Sequence, residues 1–154
     1  MPLVNVVKKV EKARQSIGLI DGERVVAGCT TNPKGTVSRM TARQLGGLIG
    51  AVAADRFVGD ANRDDVGLAE RFVPGQNFLV VTTHRVLLIS MSALSGKPKE
   101  LLAQWLRHEV ADITVEEGRL AHPMTVVFAD GTGVQVEGAK GSDPKSVASA
   151  LHSG

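Results

Sequence analysis

The stretch "MTVVFADGTGVQVEG", Met124 to Gly138, leaves the chain little conformational choice. Apolar residues alternate with others on both sides of Asp130-Gly131, which is the period of a half-buried strand. The dipeptide between them suits a tight turn, because glycine accepts a positive φ without strain. A hairpin of this kind needs further strands beside it, and the sequence supplies them. "NFLVVTT" and "RVLLISMS" flank Thr83-His84 so closely that a second hairpin follows. "DITVEEG" alternates Ile113 and Val115 with polar neighbours, and "RVVAGCTTN" is a β-branched run stopped by the turn-forming "NPKG". "ELLAQWLRH" stays open at this level, since Leu101, Leu102, Trp105 and Leu106 also fit one face of a helix.

Helical signals lie at the two ends. Over residues 3–17, Leu3, Val7, Val10 and Ile17 recur at helical spacing, with Lys8, Lys9, Lys12 and Arg14 on other faces. Such a basic amphipathic helix either docks on its own domain or lies on an anionic membrane. At the other end, Asp143 is placed to cap free amides and Pro144 suits a first helical position. Val147, Ala148 and Leu151 form the stripe of a helix over 143–152.

Between the first strand and the first hairpin stands "LGGLIGAVAADR", Leu45 to Arg56. It is too short to span a membrane, which takes about twenty apolar residues. A helix over 39–57 would align Gly46, Gly50 and Ala54 on one face, with Gly47 and Ala51 in a neighbouring row. Each glycine costs a helix about 1 kcal/mol relative to alanine. Close packing against the domain's own barrel, a second copy of the chain, or lipid would offset that cost. Residues 58–76 read as a polar loop with a helical turn near Leu68, and loops that long tend to be functional.

Most chemical signatures fail. Gly96-Lys97 is followed by Pro98 where a phosphate-binding loop needs Ser or Thr, and Gly46-Gly47-Leu48-Ile49-Gly50 lacks the dinucleotide-binding spacing. "DANRDDVGLAER" has Asp65 where a calcium loop requires glycine and Arg71 where it requires glutamate. The four histidines, His84, His108, His122 and His152, show no metal-ligand spacing. Cys29 is the only cysteine, so it forms no intramolecular disulfide and reads as a buried, inert thiol. No serine sits in a nucleophile elbow. These failures predict a protein that is not an enzyme and uses no cofactor or metal.

Charge and aromatics narrow the partners. Aromatic residues make up 3% of the chain, too few to serve as stacking platforms for single-stranded nucleic acid. The net charge of +2 is divided unevenly. Residues 1–45 carry eight basic residues against three acidic ones, and residues 55–70 carry five acidic against two basic. No apolar leader segment opens the sequence, so the expected location is cytoplasmic, or peripheral to a membrane.

The order of elements resembles the pleckstrin-homology-like family, in particular its bacterial and GRAM-related members. "FLVVTTHRVLLIS" is similar to that family's hairpin, "WLRHEVADITVEEG" to its following element and "MTVVFADGTGVQVEG" to its penultimate hairpin. The resemblance covers residues 76–152 and the first strand. It implies an α+β, mainly β fold: a seven-stranded antiparallel half-open barrel with a C-terminal capping helix. To this the chain adds an N-terminal helix and a Gly-rich helical insertion after strand 1. One domain over 1–154 is expected, with the helix in 1–20, the insertion in 32–76 and the main barrel in 77–152. It also implies a binding or scaffold module. Protein–protein association, with self-association included, is the expected function, through Gly46, Gly47, Gly50 and Ala54. Peripheral binding to anionic lipid is the alternative, with Lys34, Arg39 and Arg43 as candidate contacts. A small-ligand carrier or an enzyme is the remaining one.

Overall fold

The computed structural model describes residues 5–33 and 66–153. Seven strands form one antiparallel sheet: β1 (Val25–Pro33), β2 (Asn77–Thr82), β3 (Arg85–Met91), β4 (Pro98–Leu106), β5 (Val110–Val115), β6 (Ala121–Phe128) and β7 (Gly133–Ala139). Their order across the sheet is β4-β3-β2-β1-β7-β6-β5. The chain is therefore mainly β with helices at the ends, as its alternation predicts. "ELLAQWLRH" resolves as strand, because β3 offers it a ladder from Arg85↔Leu106 to Met91↔Pro98.

β1 joins the two halves of the sheet. Its residues from Val25 to Thr31 pair with β2, and Thr31 to Pro33 pair with β7. The edge strands β4 and β5 are linked only by the short turn Arg107–Glu109. Trp105 of β4 and Ile113 of β5 nevertheless share one apolar cluster with Cys29, Leu79, Leu88 and Phe128. Residues at opposite edges can meet in this way only if the sheet curls around its core.

The convex side of the curl is also covered. Helix α1 (Val6–Lys12) and the short α2 (Arg14–Ile17) lay Val6, Val10 and Ile17 on Val25, Phe78, Val80, Leu87 and Ile89. β2 is thus buried on both faces, which explains why its centre, Phe78 to Val81, is a continuous apolar run rather than an alternating one. Asn5 caps α1, its side chain accepting from the Lys8 amide at 3.0 Å. The single helix expected over 3–17 is instead broken at Ala13. The Arg14 guanidinium beyond the break donates to the Glu23 carbonyl at 2.8 Å and pairs with Glu11, while the Glu11 carboxylate accepts from the Val25 amide. These bonds hold the reversed chain where Ile17 can reach the sheet. Gly28 allows α1 to approach, since a Cβ there would lie 2.6 Å from Val6 Cγ1.

Helix α3 (Pro144–Ser153) packs against β1, β5 and β2. Val147 and Ala150 are its buried residues, while Ala148 and Leu151 pack partly buried beside them. Asp143 stands before it in the left-handed region, φ 67°, and its backbone carbonyl accepts from the Ser146 amide and hydroxyl. The start of the helix rests on β7 at Gly138, where a Cβ would lie 2.6 Å from Pro144 Cγ.

Candidate functional site

Thr31 and Asn77 face each other across β1 and β2, and after two further residues of β1 paired with β7 the chain leaves the sheet at Pro33, to return at Asn77. The return is tightly built. Residues Gly67–Arg71 form a 3-10 turn that buries Ala69, and Phe72 follows it into the core. The free amides at the start of the turn are met from the β6–β7 hairpin. Leu68 N donates to Asp130 Oδ2 at 2.8 Å, and Ala69 N donates to Thr132 Oγ1 at 3.1 Å. From β4, Trp105 Nε1 donates to the Leu68 carbonyl at 2.9 Å. Trp105 also stacks on Phe72, with ring centroids 6.0 Å apart, and meets Phe128 at 5.2 Å. The turn thus bridges β4 and the tip of the β6–β7 hairpin.

Asp130 performs two tasks that the sequence suggested only in part. Its Oδ1 accepts from Thr132 N and Oγ1, closing the hairpin turn, while its Oδ2 holds Leu68. The hydrogen bonds from Thr132, then the one from the Leu68 amide, hold its carboxyl below the usual range. Residues 58–76 were expected as a polar loop with a helical turn near Leu68, and that turn is present at Gly67–Arg71. Their described portion also sends Ala69 and Phe72 into the apolar core, while Val66 and Val73 remain exposed beside them.

Most polar groups elsewhere on the sheet are engaged internally. Glu23 is fully buried and bound by Arg85 in a two-pronged pair, Oε1–Nη2 2.6 Å and Oε2–Nε 3.0 Å. Thr82 Oγ1 and the Ile20 amide also donate to that carboxylate. Arg107 donates to the Thr82 carbonyl and to the Ala150 and Leu151 carbonyls, which ties the end of α3 to the β2–β3 hairpin. His84 pairs with Thr83, His152 with Asp112, and His122 Nδ1 accepts from the Gly118 amide. Burial, reinforced by the charge of Asp143, pushes the Cys29 thiol far up, so it stays protonated. The buried hydroxyl of Thr31 finds no hydrogen-bond partner among the described residues. Among the described residues, no three His, Cys, Asp or Glu side chains come together as metal ligands. None of the described helices is long and apolar enough to cross a membrane.

The residues singled out from the sequence, Gly46, Gly47, Gly50 and Ala54 together with Lys34, Arg39 and Arg43, lie outside the described residues. What the structure adds is the frame on either side of that segment. Pro33 ends β1 on one side, and the Trp105–Asp130 clamp receives the chain on the other. No protein-family model and no curated protein matches the sequence.

Proposed function

We propose that the protein is a non-enzymatic pleckstrin-homology-like module that works by protein–protein association through the connection between β1 and β2. The curled sheet with β1 shared between its halves, the short β4–β5 corner and the helix after β7 support the fold assignment. The observation that carries the functional reading is the length of that connection. Two neighbouring antiparallel strands need only two to five residues to join them. Here forty-five intervene between Thr31 and Asn77. Closing so long a loop costs about 2 kcal/mol more in chain entropy than closing a four-residue one. Packing on the sheet accounts for its returning end, where Ala69 and Phe72 are buried, and the use of the remaining length is proposed to lie outside the sheet. The small-residue row Gly46, Gly50 and Ala54 is the proposed contact, with a second copy as the simplest partner.

Gly50→Leu tests this reading. Its bulk is expected to block close approach and lower the mass measured by light scattering, with the melting temperature of the sheet unchanged. Unchanged mass and unchanged melting together contradict association through this row.

A further inference from the structure

His122 lies near the start of β6, and its side chain is 11% exposed. Its Nδ1 accepts from the Gly118 amide at 3.2 Å, across the loop that joins β5 to β6. The Glu116 amide donates to the Pro123 carbonyl at 2.9 Å and holds the same loop from its other side. The loop is tight at Gly118. A Cβ there would lie 1.6 Å from the Ala121 carbonyl oxygen, so the amide reaches the ring only in a conformation with no room for a side chain.

A second partner stands beside the same ring atom. Glu117 Oε2 is 3.8 Å from His122 Nδ1, and Glu117 Oε1 pairs with Lys145 of α3. The hydrogen bond from Lys145, and then its charge, hold the Glu117 carboxyl below the usual range. Glu117 therefore stays ionised wherever an imidazole titrates. Lys140, between β7 and α3, also acts on Glu117. Glu116 and Arg119 are the other charged side chains of the loop, and both are exposed. On β7 the residue opposite His122 is Gly138, which carries no charge. Glu137 is opposite Pro123 and so points to the other face of the sheet.

One atom thus serves two partners that need it in opposite states. A neutral ring offers the Gly118 amide a lone pair on Nδ1. A protonated ring has an N–H there, which the amide cannot use and the Glu117 carboxylate can accept. We propose that residues 116–120 form a proton-operated switch, in which protonation of His122 moves Nδ1 from the Gly118 amide to the Glu117 carboxylate and frees the loop from its tight form. Arg119 and Leu120 are exposed on that loop, so the surface it presents changes over the pH range in which histidine changes charge. The switch is independent of the β1–β2 connection and of any association through it.

The test is a magnetic-resonance titration of the full chain between about pH 5 and about pH 8, following the His122 ring and the Gly118 amide together. Exchange protection of that amide, taken relative to an unstructured peptide at each pH, should fall about fivefold on acidification, with the midpoint of the ring. His122→Asn keeps an acceptor close to the position of Nδ1 without a titrating proton, and should keep Gly118 protected throughout. Glu117→Gln removes the carboxylate that receives the charged ring, and should move the midpoint to lower pH. Lys145→Ala releases Glu117 to the ring, and should move it to higher pH. Glu117 and Lys145 are exposed, so neither substitution disturbs the core. A hydrogen bond with a structural role alone gives neither displacement. Three outcomes overturn the proposal: constant Gly118 protection while the ring titrates, a fall that persists in His122→Asn, or a midpoint that Glu117→Gln leaves in place.

Discussion

Arg85→Leu is expected to lower the stability of the protein at neutral pH by about 3–5 kcal/mol. The substitution strands Glu23, which is fully buried. Burial opposes ionisation of that carboxyl. It is outweighed by the hydrogen bonds from Arg85, Thr82 and the Ile20 amide, which hold the pKa down to about 2. The ordinary value, 4.5, applies once the chain unfolds. In the native protein, then, the carboxylate contributes stability that is complete above pH 4.5 and is lost as the pH falls from 4.5 towards 2. Without the guanidinium, desolvation dominates and the folded-state pKa rises above the unfolded one. The sign then reverses: the variant loses stability as pH rises through that new value. The gap between native and variant proteins is therefore widest at neutral pH and narrows in acid. Denaturant unfolding at about pH 7 and about pH 3 measures both. A gap below about 1 kcal/mol that does not change with pH would show that the pair does not hold the hairpin.

Trp105→Ala is expected to cost a similar amount, about 3–5 kcal/mol, through the cavity it leaves between Phe72 and Phe128. It also removes the donor to the Leu68 carbonyl, and with it the β4 side of the clamp on the Gly67–Arg71 turn. Local release should accompany the global loss, read as faster protease cleavage between residues 66 and 76. Trp105→Phe separates the two effects. It keeps most of the apolar volume but leaves the carbonyl without its partner, so a smaller loss of about 1–2 kcal/mol is expected. Cleavage at 66–76 should still rise above that of the native protein. Native-like resistance in both variants would mean that the returning chain is held by Asp130 and Thr132 alone.

How far the fold can be read from the sequence follows from the range of the forces involved. The Met124–Gly138 hairpin was legible because alternation and an Asp-Gly turn are local signals, and β6 and β7 stand where they point. β4 could not be settled locally, because its identity rests on the ladder with β3. The turn near Leu68 was legible, but the burial of Ala69 and Phe72 that it brings about was hidden by charged neighbours. Its only signal was an apolar pair three residues apart in "VGLAERFVPG". Glu23 does not stand out in the sequence, since nothing near it in the chain announces Arg85, sixty-two residues away. The approach of Lys9 to the Gly96 carbonyl was likewise invisible. α1 and the β3–β4 loop meet only because both border the convex face of the sheet.

The same distinction governs the functional reading. Among the described residues, the sheet and α3 are knit by the ladders of β1 with β2 and β7, the Arg107 ties and the Trp105 cluster. The central claim is that this frame is complete without residues 34–65. The direct measurement is the thermal unfolding of a variant in which a Gly/Ser linker of about twelve residues, with a reach of about 20 Å, replaces that segment. A cooperative transition, followed through the near-ultraviolet signal of Trp105, is expected at a temperature no lower than that of the native protein. Loss of that signal or of cooperativity would mean that the segment belongs to the core, and would contradict the claim.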